Sequence, residues 1–203
     1  MRPWVVGLAG GSGSGKTTLA DALSFALPRD EAAIVPLDAY YRDLSCLDPE
    51  ARQHQNFDGP EAMDWELFAA HLESLRGGSH VDRPVYDFRS HTRQAETTRV
   101  ESRPVLIVEG VLLLSRADIR ALIDTSVFLD VDDQTAVDRR LARDLRERGR
   151  DADDIRTQYA RDVRPMFEQH GRPTRRWATL RLSGTAAVTA NVDRVLKALG
   201  RAR

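Results

Sequence analysis

Short apolar runs alternate along the chain with longer stretches in which apolar residues recur every three or four positions. The first pattern fits buried strands, the second amphipathic helices. The candidate core strands are residues 4–9, 33–37, 105–108, 126–131 and 179–182; the candidate helices are 15–27, 64–76, 135–148, 153–168 and 187–199. Such alternation indicates βαβ units around a mostly parallel sheet. Leu19 and Leu23 mark one buried helix face, and Trp65, Phe68 and Leu72 another. Val137, Leu141 and Leu145, at i, i+4 and i+8, predict a third. Residues 79–101 break the rhythm. There 81–88 and 97–100 read as two strands of a hairpin, too polar for a central sheet and suited to a flap.

At 203 residues the chain is the size of one domain. Its longest apolar runs, 105–108 and 111–114, are split by Glu109-Gly110, far short of the ~20 residues of a membrane span. The apolar start is too short for a signal peptide and runs into glycines. A single cysteine, Cys46, excludes an internal disulfide or a multi-cysteine metal site. The expectation is a soluble cytoplasmic protein with no membrane partner. Thirty basic against 31 acidic residues argue against a dedicated nucleic-acid binder. Only Lys16 and Lys197 are lysines, and the other 28 basic residues are arginines. Against that bias, a lysine kept inside a motif stands out.

That motif is Gly10-Gly11-Ser12-Gly13-Ser14-Gly15-Lys16-Thr17, which fits G-x-x-x-x-G-K-[ST]. Its glycines let backbone N–H groups wrap a phosphate, and the helix beginning near Gly15 points its positive end at the same anion. Lys16 would reach the β and γ phosphates and Thr17 would ligate Mg²⁺, with Thr18 next in the helix. An apolar strand precedes the loop and an amphipathic helix follows it. The dinucleotide fingerprint G-x-G-x-x-G fails, since no glycine follows Gly15 in register.

In open α/β sheets the site lies at the carboxyl ends of the strands. Asp38, Glu109, Asp130 and Asp132 fall there. Asp132 suits a helix N-cap. Glu109 is the candidate Mg²⁺-side acid. Asp38, followed by Tyr40-Tyr41-Arg42, is the candidate acceptor of a hydroxyl proton in phosphoryl transfer. Residues 139–150 hold six arginines and two acids. They read either as a solvated helix with Asp144 paired to Arg148 or as an arginine-bearing lid that neutralises phosphate charge and excludes water.

Several motifs coincide. Asp38-Ala39-Tyr40-Tyr41-Arg42, Asn56-Phe57-Asp58-Gly59-Pro60, Pro84-Val85-Tyr86-Asp87-Phe88 with Ser90-His91-Thr92-Arg93, Glu109-Gly110-Val111-Leu112 and Glu147-Arg148-Gly149-Arg150-Asp151 resemble the uridine kinase (uridine–cytidine kinase) family. Gln158-Tyr159 and Val163-Arg164-Pro165-Met166 match too, and the resemblance runs from about residue 4 to 200. It implies a single α/β domain of the P-loop kinase type, with three layers and a five-stranded, mostly parallel sheet. A β-hairpin flap over 79–101 and an arginine-bearing helical lid over 139–168 complete it. It implies transfer of phosphate from ATP or GTP, with Mg²⁺, to the ribose 5′-hydroxyl of uridine and cytidine, by a homotetramer. It makes Lys16, Asp38, Arg148 and Arg150 catalytic, with Asp38 as base. Asp58 would bind ribose hydroxyls, Tyr86 stack on the base and His91 read its edge. Arg140, Arg143, Arg148 and Gln158 would contact nucleoside or phosphates. The chemistry suits each role: a carboxylate accepts vicinal hydroxyls, a ring face covers a flat pyrimidine, and imidazole can donate or accept. Gly59 departs from the family, which usually has histidine there.

Two other functions compete at this stage. One is a P-loop kinase of another small alcohol, such as phosphoribulose or pantothenate. The other is a nucleotide-binding regulator or RNA-binding protein using the arginine helix, which the near-zero net charge disfavours.

Overall fold

The computed structural model describes residues 2–148 and 151–201, with backbone only for Gln53, Glu147 and Arg148. Five strands form the central sheet: β1 (Trp4–Gly10), β2 (Ala32–Pro36), β5 (Val105–Glu109), β6 (Thr125–Asp130) and β7 (Leu180–Ser183). They lie in the order β2-β5-β1-β6-β7, and every pairing is parallel. β5 is buried along its whole length, as its continuous apolar run requires of a strand covered on both faces.

The alternating side chains of β1 divide the core. Val6 and Leu8 face a layer built by Leu19 and Leu23 of α1 (Lys16–Ala26) and by Val192, Val195 and Leu196 of α8 (Val188–Ala198). Val5 and Ala9 face the opposite layer, with Phe68, Leu72 and Leu75 of α3 (Trp65–Arg76) and Ile119 of α4 (Ala117–Ala121). The expected stripe Trp65, Phe68 and Leu72 is therefore core. α2 (Pro49–Gln53) is a short helix capped by Asp48, whose Oδ1 accepts from the Ala51 N–H.

β3 (Val81–Asp87) and β4 (Thr92–Val100) form a separate antiparallel pair. The second strand starts five residues earlier than its polar sequence implied. Cross-strand pairing carries it, from Asp87↔Thr92 to Val81↔Val100, with an irregularity between Pro84 and Tyr86. Proline cannot donate to a ladder, which fits a break at that point.

α5 (Asp133–Arg148) starts where Asp132 Oδ1 accepts from the Thr135 N–H at 2.8 Å, so Asp132 acts as the expected N-cap. The single helix expected over 153–168 is not continuous. α6 (Ala152–Gln158) passes into a π-helical turn at Tyr159–Val163, a short α7 (Arg164–Met166) and a second π-helical turn at Phe167–Gly171. Each π turn ends two residues before a proline, Pro165 or Pro173. A proline ring clashes with the carbonyl four residues back, and widening to i→i−5 bonding relieves that clash.

Candidate active site

Residues 10–17 run from the end of β1 into α1. Gly13 has φ 76° and a Cβ there would lie 2.5 Å from the Ala136 carbonyl oxygen, so α5 packs directly on the loop. Both conformation and contact require glycine at that point. Gly15, with φ 93°, turns the chain into the helix. Residues 12–18 line a cleft of about 1400 Å³. Gly10 and Gly11 sit behind it, with Gly11 against the Phe167 ring.

Lys16 Nζ donates to the Gly11 carbonyl at 2.9 Å. Burial pulls the Lys16 pKa down, Glu109 and Asp38 oppose that, and Arg143 adds to it. The ammonium thus lies in the field of both acids and of Arg143. Glu109 is buried at the end of β5, where Thr17 Oγ1 donates to its Oε1 at 3.2 Å. Burial pushes its carboxyl up, against the pull of Lys16. A desolvated carboxylate beside a hydroxyl, at the phosphate loop, suits Mg²⁺, which takes hard oxygens from one or two carboxylates, phosphates and water. Among the described residues, no group of three or more His, Cys, Asp or Glu gathers that would cage a metal by itself. Asp38 is exposed on the 3₁₀ turn Leu37–Tyr40 and lines the same cleft.

At the far end, Tyr41, Phe57, Asp58, Tyr86, Phe88 and His91 meet. Tyr41 and Tyr86 rings lie 5.1 Å apart, Tyr86 and Phe88 5.3 Å, and Phe57 stacks on His91 at 4.1 Å. Burial raises the Tyr41 hydroxyl well above its usual range, and the charges of Asp38 and Asp58 raise it further. Tyr41 therefore lies in the field of both acids. Burial, helped by Asp43, pushes Tyr86 up to about 12. His91 adopts φ 56°, held in a turn in which its N–H donates to the Asp87 carbonyl. Asp58 sits in a loop where its N–H is taken by Asn56 Oδ1. Sequence alone assigns no role to Tyr41, Phe57 and Phe88. All three lie inside the motifs that resemble the family, but only the fold turns their rings together. Tyr40, beside Tyr41, is instead core, with its hydroxyl 3.1 Å from His71 Nδ1.

The arginine helix lies against the phosphate loop and lines the cleft. Arg140 donates to Ser12 Oγ at 3.1 Å and to Gln158 Oε1 at 3.3 Å. Arg143 Nε donates to Asp144 Oδ1 at 2.9 Å. Arg139 donates to the carbonyls of Gly13 and Gly184. The expected stripe Val137, Leu141 and Leu145 is not the buried face. Ala136, Arg140 and Asp144 are buried, and Leu145 is 44% exposed. The period is right and the phase is shifted by one residue, because this face lies on a glycine loop and a polar cleft rather than on the sheet. Asp144 is accordingly an inward partner of Arg140 and Arg143 rather than part of a solvated face. The Arg148 side chain and Arg150 lie outside the described residues.

The comparisons with known proteins agree with this geometry. The phosphoribulokinase/uridine kinase family profile matches residues 5–189. A uridine kinase from Clostridium novyi is 40% identical over 89% of this chain and 86% of its own. One from Brevibacillus brevis is 44% identical over 87% and 82%. Among solved structures, a kinase from Silicibacter sp. TM1040 whose name points to a fructose transport system superposes with TM-score 0.72. It is 27% identical and 89% of each chain is covered. With a phosphate-loop strand–turn–helix, strand-end acids and an arginine helix over the loop, this chain belongs to the phosphoribulokinase/uridine kinase family of P-loop kinases.

Proposed function

We propose that this kinase transfers the γ-phosphoryl group of ATP to the 5′-hydroxyl of uridine and cytidine, giving UMP and CMP. One observation carries the reading. A single cleft joins a phosphate loop at one end to a pocket walled by Tyr41, Phe57, Tyr86, Phe88 and His91 at the other. Asp38 lines the same cleft as Lys16 and Tyr41, and its charge acts on both, which supports a role beside the transferring group. The uridine kinase names of relatives about 40% identical over most of the chain support the same substrate class.

In this reading Asp38 accepts the 5′-hydroxyl proton as the oxygen attacks. Lys16, Arg140, Arg143, Arg148 and Arg150 offset the charge spread over the transferring phosphoryl group. Asp58 accepts from the ribose 2′ and 3′ hydroxyls, Gln158 borders the sugar, the rings cover the base, and His91 addresses its edge. Thr17 and Glu109 would hold Mg²⁺, which supplies positive charge to the β and γ phosphates when bound. The hairpin acts as a flap and residues 139–168 as a lid. Family resemblance further supports a cytoplasmic homotetramer in pyrimidine salvage. Among the described residues no helix is long and apolar enough to cross a membrane.

Flat aromatic walls favour a nucleobase over a sugar phosphate such as phosphoribulose, which offers no ring to cover. The test is transfer from ATP to uridine, cytidine, other nucleosides and ribulose 5-phosphate, run side by side. Uridine and cytidine should be the preferred acceptors. Preference for ribulose 5-phosphate, or transfer to none, would overturn the reading.

A further inference from the structure

Arg93 lies on β4 directly opposite Tyr86 in the hairpin register. Its side chain is only 20% exposed. Nε donates to the Tyr41 carbonyl at 3.0 Å, and Nη2 donates to Asp64 Oδ2 at 3.0 Å. Its backbone N–H donates to Asp43 Oδ1 at 3.1 Å. One residue of the hairpin therefore reaches three points of the body. Asp64 is itself divided, because its Oδ1 caps α3 by accepting from the Leu67 N–H at 3.1 Å.

These partners are placed for a reason. The segment after Asp38 is pinned on one side, where the Asp64 N–H donates to the Tyr40 carbonyl and the Arg42 N–H to the Ala62 carbonyl. Arg93 takes the Tyr41 carbonyl between those two bonds. A two-stranded hairpin is marginal by itself, and residues 94–99 of β4 are exposed. Its base is held by Val81 and Val100, buried in the body's core, and its pocket end by such tethers, together with the bond from Arg52 to the Ser90 carbonyl near its tip. Tyr86 and His91 belong to the hairpin, whereas Tyr41 belongs to the body. The aromatic pocket is thus assembled from two elements that share a core at the hairpin base and are joined by Arg93 at the pocket end.

We infer that Arg93 is a positioning residue that clamps the hairpin to the turn carrying Asp38 and Tyr41, and so sets the spacing of the nucleoside pocket. The inference rests on the reading of that pocket as the nucleoside site. A planar guanidinium suits the task, since one fork serves a carbonyl and a carboxylate at once and a lysine serves a single point.

The test is steady-state kinetics with uridine and ATP each varied, on the wild type, Arg93→Ala, Arg93→Lys and Asp64→Asn. Arg93→Ala should raise the uridine KM about 10–100-fold, as expected for losing charge-assisted bonds. The ATP KM should stay within about 2-fold and kcat fall less than about 5-fold, because the phosphate end is built elsewhere. Arg93→Lys should fall between, and millimolar methylguanidinium should restore part of the uridine KM of Arg93→Ala. Asp64→Asn keeps a good helix cap and should raise the uridine KM several-fold while adding little on top of Arg93→Ala. Unchanged uridine KM in Arg93→Ala, or equal losses toward ATP and uridine, would overturn the inference. If Arg93→Ala does not fold, Asp64→Asn decides: a raised uridine KM supports the clamp, and an unchanged one overturns it. A wild type inactive on uridine would remove the nucleoside reading beneath, and the wild-type assay separates that failure from failure of the clamp.

Discussion

The two ends of the cleft are built on different plans. The phosphate end is backbone and strand ends. Its loop leaves β1, Glu109 closes β5, and Gly13 lies against α5 so closely that a Cβ would not fit. The end proposed for the nucleoside is side chains carried outside the sheet: Phe57 and Asp58 on a loop, Tyr86, Phe88 and His91 on a hairpin and its turn. The first plan gives a fixed cradle for a charge common to all nucleoside triphosphates. The second gives a surface whose spacing and chemistry select an acceptor. The account therefore expects changes at the first end to act on the rate and changes at the second to act on the choice of substrate.

The largest effect should come from the phosphate end. Lys16→Ala should lower kcat at least about 10²–10³-fold, the cost of removing a charge aimed at the transition state. Thermal unfolding should show a folded protein, since among the described residues the Lys16 ammonium bonds the loop carbonyl of Gly11 rather than core side chains. Near-normal turnover would break the comparison at its stronger end.

Aromatic truncation sharpens the other half. Phe57→Ala should raise the uridine KM by about 5–150-fold, the range for losing a ring that stacks on a base. The ATP KM should stay within about 2-fold in the same titrations. A fall in kcat with uridine KM unchanged would move Phe57 out of the nucleoside wall.

The smallest effect tests the face of α5. Leu145→Gln should change stability by no more than about 0.5 kcal/mol in urea unfolding, as for an exposed position. A cost of several kcal/mol would show that the apolar stripe is buried after all.

That stripe also shows what the sequence can and cannot carry. Strand runs such as 105–108 were legible because a strand buried on both faces must be apolar throughout. The phosphate loop was legible because its glycines answer to backbone geometry. In α5 the period was legible and the buried face was not. Periodicity reports that a helix has an apolar side, and here the covered side is Ala136, Arg140 and Asp144, set by a glycine loop and a polar cleft. The π turns before Pro165 and Pro173 leave no mark on apolar spacing. Tyr41, Phe57 and Phe88 sit in separate segments, and only the hairpin's return over the 41–58 loops brings them together.

The most direct test of the division between rate and selection compares Asp38→Asn with Asp58→Asn on uridine and 2′-deoxyuridine. The account predicts that Asp38→Asn lowers kcat about 10²–10⁴-fold with nucleoside still bound, as expected when the base is lost. Asp58→Asn should instead weaken nucleoside binding by the ~1.5–3 kcal/mol of a charged hydrogen bond and blunt the preference for ribose over deoxyribose. Normal turnover by Asp38→Asn, or an undiminished ribose preference in Asp58→Asn, would contradict it.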